Sequence, residues 1–447
     1  MKLSHLALLL WALAASACGG SNAGPDDPPA AQETDLATLP SGNTMVLYEA
    51  NPKLFSQTTA LKSIESNLDR ISSLGANVVW LMPVYPIGKV NSVNSPYCVR
   101  DYKAVNPEFG TLDDLKSLVK TAHAKGMKVI LDWVANHTAW DHAWVTEHPD
   151  WYTKDANGKI VSPPGMGWND VADLNYNAAP MRTAMKEAML WWISTADVDG
   201  FRCDYTDGVP TDFWSDAFAD IRKAKSGAIL LGESSDTKFY NCGFDLLYAW
   251  SYPGALKTVF GGGPLTALYN TVKSDSNVPE GKSRMRYILN HDTASESSLP
   301  SLYRSKEGAL AAWVLTAFLP GVPMIYSSQE IGYEKTINFF NYNILQWTSA
   351  PAYSSAYGQV MKAYRDSEKY RGSEAPQLME NGSVATVLYK AGTRRLLVLV
   401  NTSNSSQTIP APMAVVGGTF KDLLSGQSAE LSSSITLPAY GYKILAK

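Results

Sequence analysis

An α/β fold is predicted: a (β/α)8 TIM barrel with a small excursion domain after its third strand and a C-terminal antiparallel β-sandwich. Three observations predict it. From Met45 onward, eight short β-branched runs alternate with longer amphipathic stretches, the signature of βα units around a parallel sheet. After the third run the chain inserts about 38 residues, Thr138 to Asn175, too many for an ordinary βα loop. Beyond Pro376 the helical periodicity stops, and alternating runs such as Val384–Tyr389, Arg395–Val400 and Ile435–Leu437 are separated by Gly, Asn and Ser turns.

The eight barrel strands are read at Met45–Tyr48, Val78–Leu81, Lys128–Asp132, Gly200–Arg202, Ile229–Leu231, Phe244–Leu246, Arg286–Leu289 and Met324–Tyr326. Helical patterns run over Leu61–Leu74, Leu112–Lys125, Pro180–Ala196, Phe213–Lys223, Lys306–Phe318 and Tyr353–Lys369. The gap from Leu231 to Phe244 is too short for a full helix, so one repeat is expected to be degenerate. The resulting division is 43–137 plus 176–374 for the barrel, 138–175 for the excursion and 375–447 for the last domain.

The 447 residues carry 38 basic and 42 acidic side chains, and a formal charge of −4 argues against nucleic acid as a partner. Aromatic residues make up 11%, enough to supply platforms for flat ligands as well as a large core. No nucleotide, flavin or redox motif stands in a convincing context, so no organic cofactor is expected. Lys2 and the apolar run Leu6–Ala15 read as a signal peptide over 1–17, because about ten apolar residues fall short of the ~20 that span a bilayer. Ala15-Ser16-Ala17-Cys18 resembles the lipobox of bacterial lipoproteins and also satisfies a plain secretory cleavage rule. Both readings export the protein, and an envelope lipoprotein anchored at Cys18 is the expected form. Residues 18–42, rich in Gly, Pro, Ser and Asp, read as a flexible tether. With Cys18 lipidated, Cys98, Cys203 and Cys242 remain, and no pairing can be deduced.

Polar residues gather just after the predicted strands. Asp132-Trp133-Val134-Ala135-Asn136-His137 follows the third, Gly200-Phe201-Arg202-Cys203-Asp204 ends the fourth, Gly232-Glu233 the fifth and Asn290-His291-Asp292 the seventh. In a barrel the C-terminal strand ends form the active-site face. Alternate strand residues share a face, so Arg202 and Asp204 point together into the mouth while Cys203 packs outward. The arginine is expected to lower the Asp204 pKa and keep that carboxylate fit for nucleophilic attack.

These four ordered motifs resemble the α-amylase family, glycoside hydrolase family thirteen, from about Met45 to the end. Supporting matches are Gly75–Pro83, Gly321-Val322-Pro323 to Glu330-Ile331-Gly332, and Leu437-Pro438-Ala439-Tyr440-Gly441. The resemblance implies Asp204 as nucleophile, Glu233 as acid/base and Asp292 as stabiliser of the transition state. Retaining hydrolysis needs a carboxylate to attack the anomeric carbon and a protonated carboxyl ~5–5.5 Å away to protonate the leaving oxygen. It further implies sugar contacts from His137, His291, Tyr97 and Arg202, with Asp132 as a partner of Arg202. Trp140, Trp144, Trp151 and Trp168 in the excursion are open between sugar platforms and packing, whereas Trp191 and Trp192 fall in a helical pattern and read as core.

The resemblance also implies a structural calcium ion between barrel and excursion, on Asn136, Asp173 and the backbone carbonyl of Gly208, all oxygen donors of the kind calcium takes. The chain departs from the family where Asp207-Gly208 stands in place of Lys-His after the nucleophile, which puts contacts beyond the scissile bond and the bond preference in doubt. Tyr205 and Val171-Ala172-Asp173-Leu174-Asn175 likewise match neither subgroup pattern. Three readings follow. The first is an exported hydrolase of α-1,4-glucans such as starch or maltooligosaccharides. The second is a pullulanase-like or oligosaccharide-specific enzyme, or a glucanotransferase, on the same fold. The third is a non-catalytic glucan-binding protein, against which the full set of carboxylates counts. Oligomeric state is not legible.

Overall fold

The computed structural model describes residues 44–371, 374–413 and 415–447; the signal peptide, Cys18 and the tether expected from the sequence lie outside them. Eight strands close a barrel: β1 (Leu47–Ala50), β2 (Val78–Leu81), β3 (Lys128–Trp133), β4 (Gly200–Cys203), β5 (Ile229–Gly232), β6 (Leu246–Tyr248), β7 (Ser283–Tyr287) and β8 (Val322–Tyr326). Each pairs in parallel with its sequence neighbours, and β8 closes on β1 with Leu47 opposite Met324. The strands are buried along nearly their whole length, which is why they read as short continuous β-branched runs.

The outer helices bury one face each. Helix Leu112–Ala124 begins with a reciprocal capping box between Thr111 and Asp114 and turns Leu115, Leu118, Val119 and Ala122 inward, the spacing of a 3.6-residue repeat. Helix Lys306–Phe318 is buried on all sides because it lies between the barrel and the last domain, where the Tyr389 hydroxyl donates to the Phe318 carbonyl. Leu61–Leu74, expected as one helix, breaks at Asn67, whose side chain donates to the Ser63 carbonyl and accepts from Arg70.

Three strand positions shift. The first runs two residues later than expected and so includes Glu49. The sixth also starts two residues late, and the seventh covers Ser283–Tyr287 rather than Arg286–Leu289 because the polar pair Ser283-Arg284 disguised its start. Arg284 and Arg286 are both buried, Arg286 over the Tyr252 ring. The degenerate repeat is a single 3-10 helix, Thr237–Cys242. Helices Ser251–Phe260 and Leu265–Asp275 lacked a sequence reading: Pro253 and Gly254 sit in the first turn of one, and Gly261-Gly262-Gly263-Pro264 separates the two.

After β3 the chain leaves the barrel. Two short strands, His137–Ala139 and Val171–Asp173, pair antiparallel with His137 opposite Asp173, and the segment between them folds over the barrel mouth. Beyond residue 376 a six-stranded antiparallel sheet carries β-branched residues on both faces. Val387, Leu396, Val398 and Ile444 face the barrel; Val384, Leu388, Leu397 and Leu445 face a core completed by Ile409, Ile435 and Leu437 of a two-stranded ladder. Cys98, Cys203 and Cys242 are free and buried, Cys203 within the apolar layer outside the barrel.

Candidate active site

A cleft of about 430 Å³ opens at the C-terminal strand ends, lined by Tyr97, His137, Asp204, Glu233, His291 and Asp292 together with Tyr205, Asp207, Trp168, Trp250, Phe339 and Phe340. Its floor is the guanidinium of Arg202, fully buried at the end of β4. Nη1 donates to Asp132 Oδ1 and Asp204 Oδ1, each at 2.9 Å. Nη2 lies 2.6 Å from Glu233 Oε1, an ion pair without hydrogen-bond alignment. Nε reaches the Tyr248 hydroxyl at 3.2 Å, and the rings of Trp80, Tyr97 and Tyr248 surround the cation at 5.0–5.7 Å.

One cation therefore serves three buried carboxyls. Burial pushes Asp204 up to about 6, with Arg202 pulling the other way. Burial likewise lifts Asp132 to about 6 against Arg202. Glu233 rises to about 8, again from burial first, with Asp204 and Asp292 adding to the rise and Arg202 opposing. The expectation that Arg202 would lower the Asp204 pKa is thus corrected: shared among three anions, the guanidinium only limits the rise that desolvation causes. The order is still the useful one, because Asp204 loses its proton first. The Glu233 carboxyl hydrogen-bonds Asp204 directly, so the two lie side by side.

Local backbone completes the pair. Tyr205, next after Asp204, adopts a left-handed conformation with φ +38°, a strained state for a bulky residue, and its N–H donates to Glu233 Oε2 at 2.7 Å. Its ring folds back over residue 208, where any Cβ would overlap Asn136 Oδ1 and the Tyr205 ring. Glycine at 208 is therefore a packing requirement, which gives the departure at Asp207-Gly208 a physical reason. Trp168 stands edge-on to both Tyr205 and His137 and reaches the cleft. Trp140, Trp144 and Trp151 instead pack the excursion: Trp140 donates to the Asn169 carbonyl, and Trp144 contacts Trp151 and His142. Trp192 is core, donating to the Tyr102 carbonyl, and Trp191 packs edge-on against it.

The remaining expected sugar contacts converge. Tyr97 stacks on His291 and shares a 2.9 Å hydrogen bond with its Nε2. Burial pushes His137 down to about 4, so it is neutral at neutral pH. Asp292, half exposed, lies 3.3 Å from His291 Nε2 and accepts from Asn290. Of the expected calcium donors, the Asn136 amide oxygen faces the backbone of Gly208, while Asp173 sits across the short ladder from His137 with its carboxyl raised by burial. These donors are all oxygen, which suits calcium, but only one is a carboxylate. Among the described residues no group of three His, Cys, Asp or Glu side chains forms a metal cluster.

Sequence reasoning missed Glu49. It is fully buried at the end of β1 and lies 2.5 Å from His291 Nδ1. A single acid closing the apolar run Met45-Val46-Leu47-Tyr48 was the available signal. Trp250, Phe339 and Phe340 were also missed; each follows a strand or lies in a loop without periodicity.

Paired carboxyls on one buried arginine at the mouth of a parallel barrel are the kind of arrangement that glycoside hydrolysis requires. The comparisons agree. Residues 49–159 match the α-amylase catalytic domain. The chain is 26% identical over 407 residues to the α-amylase MalA of Haloarcula japonica, covering 86% of this chain and 58% of that relative, so it spans less than two thirds of the relative's length. Among solved structures it resembles a maltogenic α-amylase of Thermotoga neapolitana, with TM-score 0.80 and 25% identity over 91% of this chain and 99% of that one. An α-amylase of Lactobacillus plantarum gives TM-score 0.79 at 27% identity over the same shares. Over residues 49–159 the chain is thus similar to α-amylase catalytic domains.

Proposed function

We propose that this protein hydrolyses α-1,4-glucosidic bonds in starch-like glucans or maltooligosaccharides with retention of configuration. The observation that carries the reading is the single guanidinium of Arg202 touching both Asp204 and Glu233, whose carboxyls are themselves hydrogen-bonded. Two carboxyls gathered on one guanidinium suit the short separation of a retaining pair better than the ~6.5–9.5 Å at which an inverting pair holds its water. Asp204 attacks the anomeric carbon and the glycosidic C–O bond breaks, while Glu233 gives its proton to the leaving oxygen. A water then surrenders a proton to Glu233 and displaces Asp204. Asp292 accepts hydrogen bonds from the sugar hydroxyls as positive charge develops on the ring, and His137, His291 and Tyr97 orient that sugar.

Proton NMR of the anomeric region during early digestion of maltoheptaose, with pullulan in parallel, tests this. New reducing ends are expected as the α-anomer, with pullulan intact and the rate bell-shaped in pH between limbs near 6 and 8, set by Asp204 and Glu233. β-Anomers would sink the retaining mechanism. Cleavage of pullulan, or products longer than the substrate, would replace the substrate or the reaction type.

We also propose a structural calcium ion on Asn136, Asp173 and the Gly208 carbonyl. Its support is the approach of Asn136 to Gly208 and the oxygen-only donor set. Bound there, calcium would tie the excursion to the loop after β4. A chelator is expected to lower Tm by several degrees, reversed by added calcium; an unchanged Tm would mean that these residues pin the excursion unaided.

A further inference from the structure

A buried ion pair in the mouth joins the first strand to the segment that follows the seventh. Glu49 closes β1 with no exposed surface, its Oε1 2.5 Å from His291 Nδ1. Its Oε2 is also buried and has no hydrogen-bond partner among the described residues. An isolated carboxylate at such depth would take up a proton, so it keeps its charge only with a cation beside it. His291, itself 2% exposed, is the group in contact. Its other nitrogen faces the cleft, 2.9 Å from the Tyr97 hydroxyl and 3.3 Å from Asp292 Oδ1.

We infer that Glu49 is a positioning residue for the reaction proposed above: a buried counter-ion that keeps His291 an imidazolium and aims its Nε2–H at the cleavage subsite. With Nδ1–H held by Glu49, the charged ring carries a fixed second donor where the sugar hydroxyls and Asp292 meet. Nδ1 is committed to a group the substrate never touches, so the ring cannot turn when the subsite empties.

The charges around His291 agree with this. Burial opposes its protonation; Asp292 and Glu49 overcome burial and lift it to about 9, with Arg202 on β4 opposing. Asp132 on β3 adds a further negative neighbour. From the other elements the facing groups are neutral phenols: Tyr97 after β2, and Tyr248, Tyr287 and Tyr326 on β6 to β8, all raised above their ordinary range by burial. Burial raises Glu49 as well, and the imidazolium opposes that rise.

The test uses the whole protein labelled with [13Cε1]histidine, the His291 resonance being identified by its loss in His291→Gln. In the wild type its titration midpoint is expected near 9; in Glu49→Gln it should fall to about 7 or below, which leaves less than a tenth of the ring charged at pH 8. Activity gives the second readout: Glu49→Gln should lower kcat/KM at least tenfold at pH 8 but less than threefold at pH 5.5, where an ordinary histidine is already charged. A purely structural role would give the same loss at both pH values. A wild-type midpoint near 6.5, an unmoved midpoint in the variant or a pH-independent loss would each overturn the inference. If Glu49→Gln does not fold, the wild-type midpoint alone decides. The resonance needs no turnover, so a wild type inactive on α-glucans refutes the proposed function while leaving the coupling measurable.

Discussion

Asp204→Asn is expected to lower kcat by at least about 10³-fold while leaving maltooligosaccharide binding intact. The amide fills the same space and still accepts from Arg202, but it cannot displace the leaving sugar and form the ester. The stability of the variant provides an independent check. The Asp204 carboxyl sits at about 6 in the folded protein against about 3.9 in an unfolded chain, so its proton is held more tightly when folded. Its contribution is full below about pH 4 and is lost as pH rises through 6. Removing the titratable group should therefore raise Tm at pH 8 and change it little at pH 4. Calorimetry at the two pH values, alongside initial rates, reads both effects. Undiminished turnover would move the nucleophile elsewhere, and a Tm loss at pH 8 would show that the charge is better compensated than its burial implies.

Arg202→Met carries the largest expected stability cost. The substitution keeps much of the side-chain volume and removes the cation on which Asp132, Asp204 and Glu233 all lean. Breaking a buried ion pair from one side typically costs about 3–5 kcal/mol, because the partner charge is stranded. Here three carboxyls are stranded together, and their pKa values should rise further. The penalty then depends on pH: small near pH 5, where the carboxyls can take up protons, and large at pH 8, where ionisation would have to occur without a counter-ion. Denaturant unfolding at both pH values is expected to show that divergence, with turnover lost at either. An equal loss at both would mean that Arg202 acts through packing against Trp80, Tyr97 and Tyr248 rather than through charge. The same reasoning explains why the arginine is ringed by aromatic faces, which oppose its charge without adding a fourth anion.

Much of the candidate site is legible before folding because it is local to strand ends. Arg202 and Asp204 are two residues apart, so the pleat alone aims both side chains the same way. Glu233 directly follows the fifth strand and Asn290-His291-Asp292 comes three residues after the seventh, and the barrel turns all such βα segments to one face. The excursion is legible from length, and the last domain from its change of period. The helices at Ser251–Phe260 and Leu265–Asp275 are hidden because proline and glycine interrupt their patterns, and the start of the seventh strand is displaced because the buried Arg284 looks like surface.

The order of the barrel strands, the strand ends that bear carboxyls, and the pairing of Arg202 with Asp204 are written in the chain, since these follow from periodicity within a few residues. Only the tertiary structure decided how many anions share that arginine, which fixes the order in which Asp204 and Glu233 titrate. It alone placed Glu49 against His291, 242 positions away, because they meet only when the first strand closes against the last strands of the barrel. It also decided that Gly208 must be glycine, since the Tyr205 ring lies where a side chain would stand. The reason is the same in each case. Desolvation and steric exclusion are set by what other segments bring to a point in space, and spacing along the chain carries no record of that.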